Sequence, residues 1–349
     1  MYILDTPSLK EVVSQNYNYS FNKETGYFAR WGVSKEDDPI QAPSPEIADI
    51  EVTTICHGIN GKVCKHCYKA NTPSGFNMSY DTFVKIFDKI TKNRLLTQIA
   101  FGADASATAN PDLFKMMEYS KEHGVIPNIT VADITKETAQ KLASICGAVA
   151  VSRYKEKDAC YNSIQYLKEA GLSQINIHIM VSEETYDMCL ETLEDRLTDP
   201  RLKDVKAIVF LSLKNKGRGT TYHRLEQSKF DSLVKKAISK SIAIGFDSCS
   251  SKKFLVSIQK RKDFDNINQY VESCESTLFS IYINYKGEAF PCSFSDGCYA
   301  WEKGIDILSC DEFVKDVWNN DKIKQFREKL LLTCNKNKFG CRECPLYNV

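Results

Sequence analysis

The sequence predicts an α/β protein, a partial (β/α)6 barrel followed by a small α+β domain. From residue 49 onward, short β-rich runs alternate with amphipathic helices, which implies parallel strands joined by right-handed crossovers. After about residue 245 this alternation stops and cysteines become frequent. An open, doubly wound sheet fits the same alternation. Both arrangements place the loop after the first strand at the carboxyl edge of the sheet, where such folds build active sites.

Three segments follow from this pattern. Residues 1–48 are polar, contain a predicted hairpin around 22–26 and end in a proline-rich run, and we interpret them as an N-terminal extension. Residues 49–245 form the predicted barrel. Residues 246–349 form the predicted small domain.

The individual elements have clear signals. The helix predicted over 80–92 places four apolar residues on one stripe, behind Ser79 as its N-cap. Four more helices are predicted. The second starts at Asn110-Pro111-Asp112, the third runs from Thr135 to near Gly147, the fourth ends at Gly171, and the fifth covers about 184–195. The predicted strands are 49–55, 97–101, 126–131, 148–152, 174–181 and 206–213. The small domain is predicted to hold a hairpin of 280–284 and 288–290 and helices near 311–318 and 321–331.

Composition excludes several classes of protein. The 46 basic and 45 acidic residues nearly balance, so the charge indicates neither a nucleic-acid nor a membrane surface. The sequence has no apolar run of membrane-spanning length and no secretory signal, and we expect a cytoplasmic protein. Because reducing cytosol keeps thiols free, the 14 cysteines indicate metal ligation rather than disulfides. Three isolated cysteines are typical of buried apolar positions: Cys146, Cys160 and Cys189.

A first cluster of three cysteines, Cys56, Cys64 and Cys67, follows the first predicted strand, and Tyr68 comes directly after it. Three thiolates are one too few to close a tetrahedral zinc site or to hold all four irons of a [4Fe–4S] cluster. If such a cluster binds here, one iron remains open to a substrate or cofactor. The alternative is a zinc ion held by these cysteines and one of two histidines, His57 or His66.

This cluster resembles the signature of the radical S-adenosylmethionine superfamily, three cysteines spaced C-x3-C-x2-C on the loop after the first strand of a partial TIM-like barrel. The pair Cys64 and Cys67 matches, whereas seven residues rather than three separate Cys56 from Cys64. The resemblance implies that the open iron chelates S-adenosylmethionine. One electron then cleaves the cofactor to a 5′-deoxyadenosyl radical, which removes a hydrogen atom from the substrate.

The same resemblance implies further cofactor contacts. The segment Phe101 to Asp104 occupies the place of the family's Gly-Gly-Glu-Pro motif, with Gly102 permitting close approach and Asp104 accepting from the methionine ammonium. Ser152, at the end of the fourth strand, is placed to reach the cofactor's carboxylate or ribose, and Tyr68 to pack by the adenine. A tight turn at Gly102 and an exposed Ser152-Arg153 pair are the structural alternatives.

A second cluster resembles the auxiliary-cluster domain called SPASM or, in its shorter form, twitch. Cys274, Gly287 and Cys292 form a C-x12-G-x4-C hairpin, and Cys341 and Cys344 form a distant C-x2-C pair. Four thiolates saturate one [4Fe–4S] cluster. Because the sequence continues only to Val349, we expect one auxiliary cluster rather than two. A zinc site is the alternative, and three other cysteines are candidates to replace one ligand: Cys298, Cys310 and Cys334.

Two features belong to neither cluster. Cys249 follows the end of the barrel and is a candidate catalytic thiol, with a buried structural cysteine as the alternative. The basic, glycine-rich turn 214–219 after the sixth strand is a candidate binding loop for a cofactor or a substrate anion, with a solvated turn as the alternative.

The resemblance implies an iron–sulfur enzyme with S-adenosylmethionine and two [4Fe–4S] clusters, acting on a peptide or protein or on a small metabolite. We slightly prefer the peptide, although residues 1–48 are too short and polar for the winged-helix module that grips leader sequences. An electron donor such as flavodoxin or ferredoxin is implied as partner. The alternative from another class is a non-catalytic zinc-binding scaffold with a C-terminal interaction module.

Overall fold

The computed structural model describes residues 1–347. The N-terminal segment forms a four-stranded antiparallel sheet whose strands lie in sequence order. These strands are β1 (Tyr2–Asp5), β2 (Leu9–Val13), β3 (Asn18–Asn22) and β4 (Phe28–Trp31). The predicted hairpin is the β3–β4 turn, where the Asn22 side chain accepts hydrogen bonds from two backbone N–H groups and Gly26 has φ +74°. The predicted extension is therefore a folded sheet.

This sheet is fastened to the rest of the chain by buried polar side chains. The Lys10 ammonium donates to the carbonyl of Leu96 at 2.8 Å, and Arg30 pairs with Glu46 at 3.1 Å and with Glu272 at 3.0 Å. Buried aromatic residues of β3 share an apolar cluster with the C-terminal part of the chain. The N-terminal sheet thus packs against both other segments.

A second, ten-stranded sheet forms the body of the protein. Its parallel part is β5 (Ile47–Glu51), β6 (Gln98–Gly102), β7 (Ile126–Val131), β8 (Ala148–Ser152), β9 (Ile175–Val181), β10 (Ala207–Ser212) and β11 (Ile244–Phe246). All six predicted strands are present, and β11 adds a seventh. The seven strands follow one another across the sheet without reversal. Right-handed crossovers in one direction place the connecting helices on one face, which excludes the doubly wound alternative and leaves the partial barrel.

The helices cover that face in order. They are α1 (Tyr80–Thr91), α2 (Leu113–Glu122), α3 (Lys136–Ile145), α4 (Lys157–Glu169), α5 (Tyr186–Thr198), α6 (Gln227–Ser239), α7 (Ser251–Ile258) and the short α8 (Phe264–Asn268). Ser79 and Thr135 cap α1 and α3 by accepting from the backbone N–H three residues on. Because α7 packs against α6, the helical layer continues beyond residue 245. None of the helices in residues 1–347 has the length and apolar character needed to cross a membrane.

The C-terminal segment extends the same sheet rather than forming a separate one. Its strands β12 (Ser280–Ile283), β13 (Glu288–Phe290) and β14 (Ile305–Asp306) form the predicted hairpin and one further edge strand. β12 pairs in parallel with β5 at the edge opposite β11. A π-helix (Phe313–Trp318) and α9 (Asp321–Leu332) complete the segment at the predicted positions.

The two faces of the parallel sheet differ in chemistry. On β9, Ile175, Ile177 and Ile179 are buried in the core cluster beneath the helices, while His178 alternates with them. The opposite face carries a band of polar side chains from five neighbouring strands: Asp49, Glu51, Gln98, Asn128, Ser152, Asn176 and His178. Burial raises the pKa of Asp49 to about 6 and lowers that of His178 to about 4, although both residues remain partly accessible to solvent.

Candidate metal centres at the carboxyl edge of the sheet

The first cysteine loop leaves β5 and bends back on itself. The backbone N–H of Cys56 donates to the carbonyl of Thr72 at 2.8 Å, which closes the loop. Gly58 has φ +68°, and a Cβ there would lie 2.0 Å from the Lys62 carbonyl oxygen, so only glycine fits. The seven-residue interval before Cys64 is thus a tight glycine turn.

The three thiols of this loop face one aromatic ring. Cys64 and Cys67 are hydrogen-bonded to each other, which lowers the pKa of Cys67 to about 6 and raises that of Cys64. Burial raises the pKa of Tyr154, and the charges of Cys64, Cys67 and Cys56 raise it further. The three cysteines of this loop therefore lie close to one another, near Tyr154.

The turn 214–219 holds this loop in place. The Arg218 guanidinium donates to the carbonyl of Cys64 at 2.8 Å and to that of Asn71 at 3.0 Å, while its backbone N–H donates to the carbonyl of Cys67 at 3.0 Å. A Cβ at Gly217 would lie 2.4 Å from the Tyr68 carbonyl oxygen. The sequence analysis left two interpretations of this glycine-rich turn open, a binding loop and a solvated turn. In the structure the turn is hydrogen-bonded to the cysteine loop and holds it in place.

His66 is not directed toward solvent. Its ring lies between those of Tyr154 and Tyr222, with centroids 5.4 and 5.5 Å away. Burial, followed by the positive charge of Arg218, lowers the pKa of His66 to about 4. The neutral imidazole is part of an aromatic wall beside the cysteines.

The predicted cofactor contacts lie at this same edge, with different surroundings. A Cβ at Gly102 would lie 3.1 Å from the Cα of Glu51, so the glycine is required by the neighbouring strand, and close approach of the cofactor there stays a prediction. The Asp104 carboxylate is buried and accepts from the backbone N–H groups of Ser106, Thr108 and Ala109 at 3.2, 2.9 and 3.0 Å. Much of its accepting capacity is therefore used by its own loop. Its contact with the cofactor ammonium remains a prediction.

Ser152 and Tyr68 face the space between the two cysteine groups. Ser152 ends β8 on the polar face and hydrogen-bonds to the Tyr154 hydroxyl. The Tyr68 ring packs on Phe294, with centroids 4.3 Å apart, and its hydroxyl hydrogen-bonds to Ser293. Tyr68 thus joins the first cysteine loop to the segment after Cys292, and its packing against adenine remains a prediction.

A charged side chain that the sequence analysis did not single out makes the same connection. The Lys69 ammonium pairs with Glu51 at 3.1 Å and with Asp296 at 2.6 Å, and donates to the Tyr282 hydroxyl at 2.7 Å. Beside it lies a cleft of about 360 Å³, whose lining includes Phe76. Lysines next to metal-ligand motifs are common in sequences, so no sequence signal marked this one.

A second group of four thiols forms where the C-terminal segment meets the barrel. Cys249 and Cys274 are hydrogen-bonded, which lowers the pKa of Cys249 and raises that of Cys274. After burial, the charges of Cys249 and Cys344 are the main causes of the raised pKa of Cys292. Burial also raises the pKa of Cys344, with the charge of Cys249 adding to it. Cys249 is thus the member common to all these contacts.

Cys341 lies elsewhere, although the sequence placed it with Cys344 in one ligand pair. It is buried in the barrel core cluster, where its thiol hydrogen-bonds to Ser251 and lies near Cys334. The residues at the start of α7 therefore place Cys249 with the four-thiol group and Ser251 beside Cys341. This arrangement favours Cys249 over Cys341 as a ligand, and a catalytic role of the Cys249 thiol stays a prediction.

The remaining candidate ligands have separate environments. The Cys298 thiol lies 2.9 Å from the Tyr347 hydroxyl, and Cys310 is buried against the core cluster. Within residues 1–347, no three cysteine, histidine or acidic side chains are gathered as tightly as the ligands of one metal ion. The four-thiol group fits an iron–sulfur cluster by its donor chemistry, since thiolates are the ligands of such clusters.

A buried ion pair of Lys214 and Asp247 lies beside the second group of thiols. They form an ion pair whose lysine side chain is 2% exposed. The Asp247 carboxylate also accepts from Ser250 and from the backbone N–H of Ser212. Although burial opposes the charge, Asp247 and the nearby Cys249 thiol raise the pKa of Lys214, so it stays protonated.

Comparison with known proteins agrees with this architecture. Residues 274–345 match the family model of SPASM, an iron–sulfur cluster-binding domain. Among solved structures, SuiB of Streptococcus suis bound to its precursor peptide SuiA superposes with a TM-score of 0.69 at 12% identity, covering 100% of both chains. BtrN in complex with AdoMet and 2-DOIA gives a TM-score of 0.45 at 13% identity, covering 87% of this chain and 94% of BtrN. No curated protein matches the sequence significantly.

The C-terminal match and the shared fold confirm two predictions. Residues 274–345 match the iron–sulfur cluster-binding domain SPASM, and the chain shares its α/β fold with SuiB. At 12% identity, the likeness to SuiB concerns the fold alone.

Proposed function

We propose that this protein is an iron–sulfur enzyme that cleaves S-adenosylmethionine reductively and removes a hydrogen atom from a peptide, protein or small-metabolite substrate. One observation carries the proposal. A clamped loop with three thiols at the end of β5 lies beside a SPASM-type segment whose own thiols form a second group.

The ligands follow from these two groups. Cys56, Cys64 and Cys67 would hold a [4Fe–4S] cluster with one open iron. Four thiols would hold a second, closed cluster: Cys249, Cys274, Cys292 and Cys344. When bound with S-adenosylmethionine, the first cluster supplies a 5′-deoxyadenosyl radical.

The chain's own residues would bind and orient the reactants. Gly102 permits the close approach of β5 at Glu51, while Ser152 offers a hydroxyl on the polar face. Tyr68 and Lys69 tie the cysteine loop to the C-terminal segment, which fixes the distance between the two groups.

For the substrate we prefer a peptide. SuiB, whose fold spans the whole of this chain, is solved with its precursor peptide. The open cleft of about 360 Å³ beside Lys69 offers an extended surface at the same edge. Electrons for the cleavage would come from a small donor protein such as flavodoxin or ferredoxin.

Anaerobic reconstitution tests the proposal. We expect about eight irons and eight sulfides per chain, since each [4Fe–4S] cluster holds four of each. The dithionite-reduced protein should release 5′-deoxyadenosine from S-adenosylmethionine, and Cys64→Ala should abolish that release.

Cys146→Ala is the matched control, because Cys146 is buried away from both groups and should leave iron and cleavage unchanged. Zinc in place of iron, or cleavage that survives Cys64→Ala, contradicts the proposal. Zinc alone would support the scaffold alternative instead.

A further inference from the structure

The buried ion pair of Lys214 and Asp247 lies against the C-terminal thiols. The Lys214 ammonium pairs with Asp247, two residues before Cys249, and it lies 4.6 Å from the centroid of the Phe294 ring, two residues after Cys292. The lysine side chain is 2% exposed, whereas that of Asp247 is 19% exposed. The cation is therefore the more deeply buried partner.

The turn that begins at Lys214 also packs on the segment after Cys292. There the Lys216 ammonium donates to the carbonyls of Ser293 and Phe294 at 3.4 and 3.3 Å. The buried cation therefore lies between the segment that carries Cys249 and the segment that carries Cys292.

A buried cation has a defined effect on an iron–sulfur cluster. Reduction adds one negative charge to the cluster. Hydrogen bonds to the ligand sulfurs, net charge and solvent exposure set its reduction potential. In a low-dielectric site a unit charge a few ångströms away interacts strongly with that added charge. A cation at this position favours the reduced form.

We infer that Lys214 is a positioning residue that raises the reduction potential of the cluster held by the C-terminal thiols, and that Asp247 moderates it. This inference rests on the proposed function, since it requires that cluster. Lys214 acts on the cluster through its charge, and Asp247 limits the cation's effect by neutralising part of that charge.

Redox titration of the anaerobically reconstituted protein, followed by electron paramagnetic resonance, tests the inference. Lys214→Gln should weaken reduction of the C-terminal cluster at least tenfold, a fall of about 59 mV for a one-electron couple. Asp247→Asn should shift the potential in the opposite direction. The cluster on the first loop should titrate as in the wild type in both variants.

Lys10→Gln is the matched control, since Lys10 is an equally buried lysine with an aspartate partner, far from both thiol groups in the N-terminal sheet. It should leave both potentials unchanged. If the Lys214→Gln protein does not assemble the C-terminal cluster, two other variants test the inference. Lys214→Arg should keep the wild-type reduction potential, and Asp247→Asn should raise it.

Intact clusters with unchanged potentials, or both variants shifting in the same direction, overturn the inference and leave the proposed function standing. A wild-type protein that takes up no second cluster overturns both. The two failures are therefore distinguishable.

Discussion

The two thiol groups of this protein are built in opposite ways. The first is local: Cys56, Cys64 and Cys67 lie on one loop after β5. The second is assembled from four places in the chain, before α7, before β12, after β13 and near the C-terminus. A local group is readable from spacing, whereas an assembled group depends on how strands and helices bring distant residues together.

The two groups also depend on different supports. The first loop lies at the surface and is held by a turn 150 residues away in sequence, chiefly through Arg218. Its hydrogen bonds are to carbonyl groups, so the clamp orders the backbone rather than the thiols. The second group is fixed by elements of the sheet and by the buried pair of Lys214 and Asp247.

The largest expected effect separates the two candidates for the fourth ligand. Cys249→Ala should lose the C-terminal cluster and leave about four irons per chain, because its thiol contacts the other members of the group. Cys341→Ala should keep about eight, because Cys341 lies beside Ser251 and Cys334. Iron and sulfide analysis after anaerobic reconstitution measures both. The reverse pattern restores Cys341 as the ligand.

Breaking the clamp should affect the first group alone. Arg218→Ala removes hydrogen bonds from a charged donor, each worth roughly 1.5–3 kcal/mol. We expect cleavage of S-adenosylmethionine to fall at least tenfold, while the spectrum of the C-terminal cluster stays unchanged. Lys85→Ala, an exposed charge on α1, is the control. Equal damage to both clusters would show that Arg218 supports the whole fold.

A smaller effect is expected at the glycine beneath the same loop. Gly217→Ala should lower the free energy of unfolding by on the order of 1–3 kcal/mol, from a left-handed backbone and a Cβ 2.4 Å from the Tyr68 carbonyl oxygen. Gly171→Ala shares the positive φ but meets nothing within 4 Å, so it isolates the backbone strain. Denaturant unfolding of both variants gives the difference. If both variants lose the same free energy of unfolding, the close contact at Gly217 contributes nothing measurable.

The smallest effect concerns the polar face between the groups. Burial lowers the folded pKa of His178 to about 4 from 6.5, with Asp247 opposing the shift. A depressed pKa contributes stability that is present above pH 6.5 and is lost as the pH falls toward 4. Between pH 7.5 and 5.5, wild type should therefore lose on the order of 1 kcal/mol more than His178→Gln. Parallel pH profiles of the unfolding midpoint would contradict a buried, neutral His178.

Much of the barrel was predictable because its signals are local. Short β-rich runs predicted all six strands, and Ser79 and Thr135 marked two helix starts by their capping chemistry. The choice between barrel and doubly wound sheet was not local, because it depends on strand order alone. The folded N-terminal sheet was likewise missed, since its short strands bury aromatic side chains in a cluster shared with Leu95 and the C-terminal segment.

The functional residues divide in the same way. The first cysteine trio was predicted from its spacing, and the turn 214–219, which holds Lys214 and Arg218, from its basic, glycine-rich composition. The partners of these two side chains and the contacts of Lys69 were not predicted, since each pairing joins residues that are distant in the sequence. Cys341 was assigned to the second group because a C-x2-C pair normally binds together. The structure turns its side chain toward Ser251 instead.

The first thiol group is expected to leave one iron open for S-adenosylmethionine. Electron–nuclear double resonance of the reduced protein with the cofactor labelled with ¹⁵N at its amino group tests this directly. We predict a nitrogen coupling to the cluster in the wild type and its loss in Cys64→Ala. An iron-loaded protein with no such coupling, or one that holds only zinc, would contradict the account.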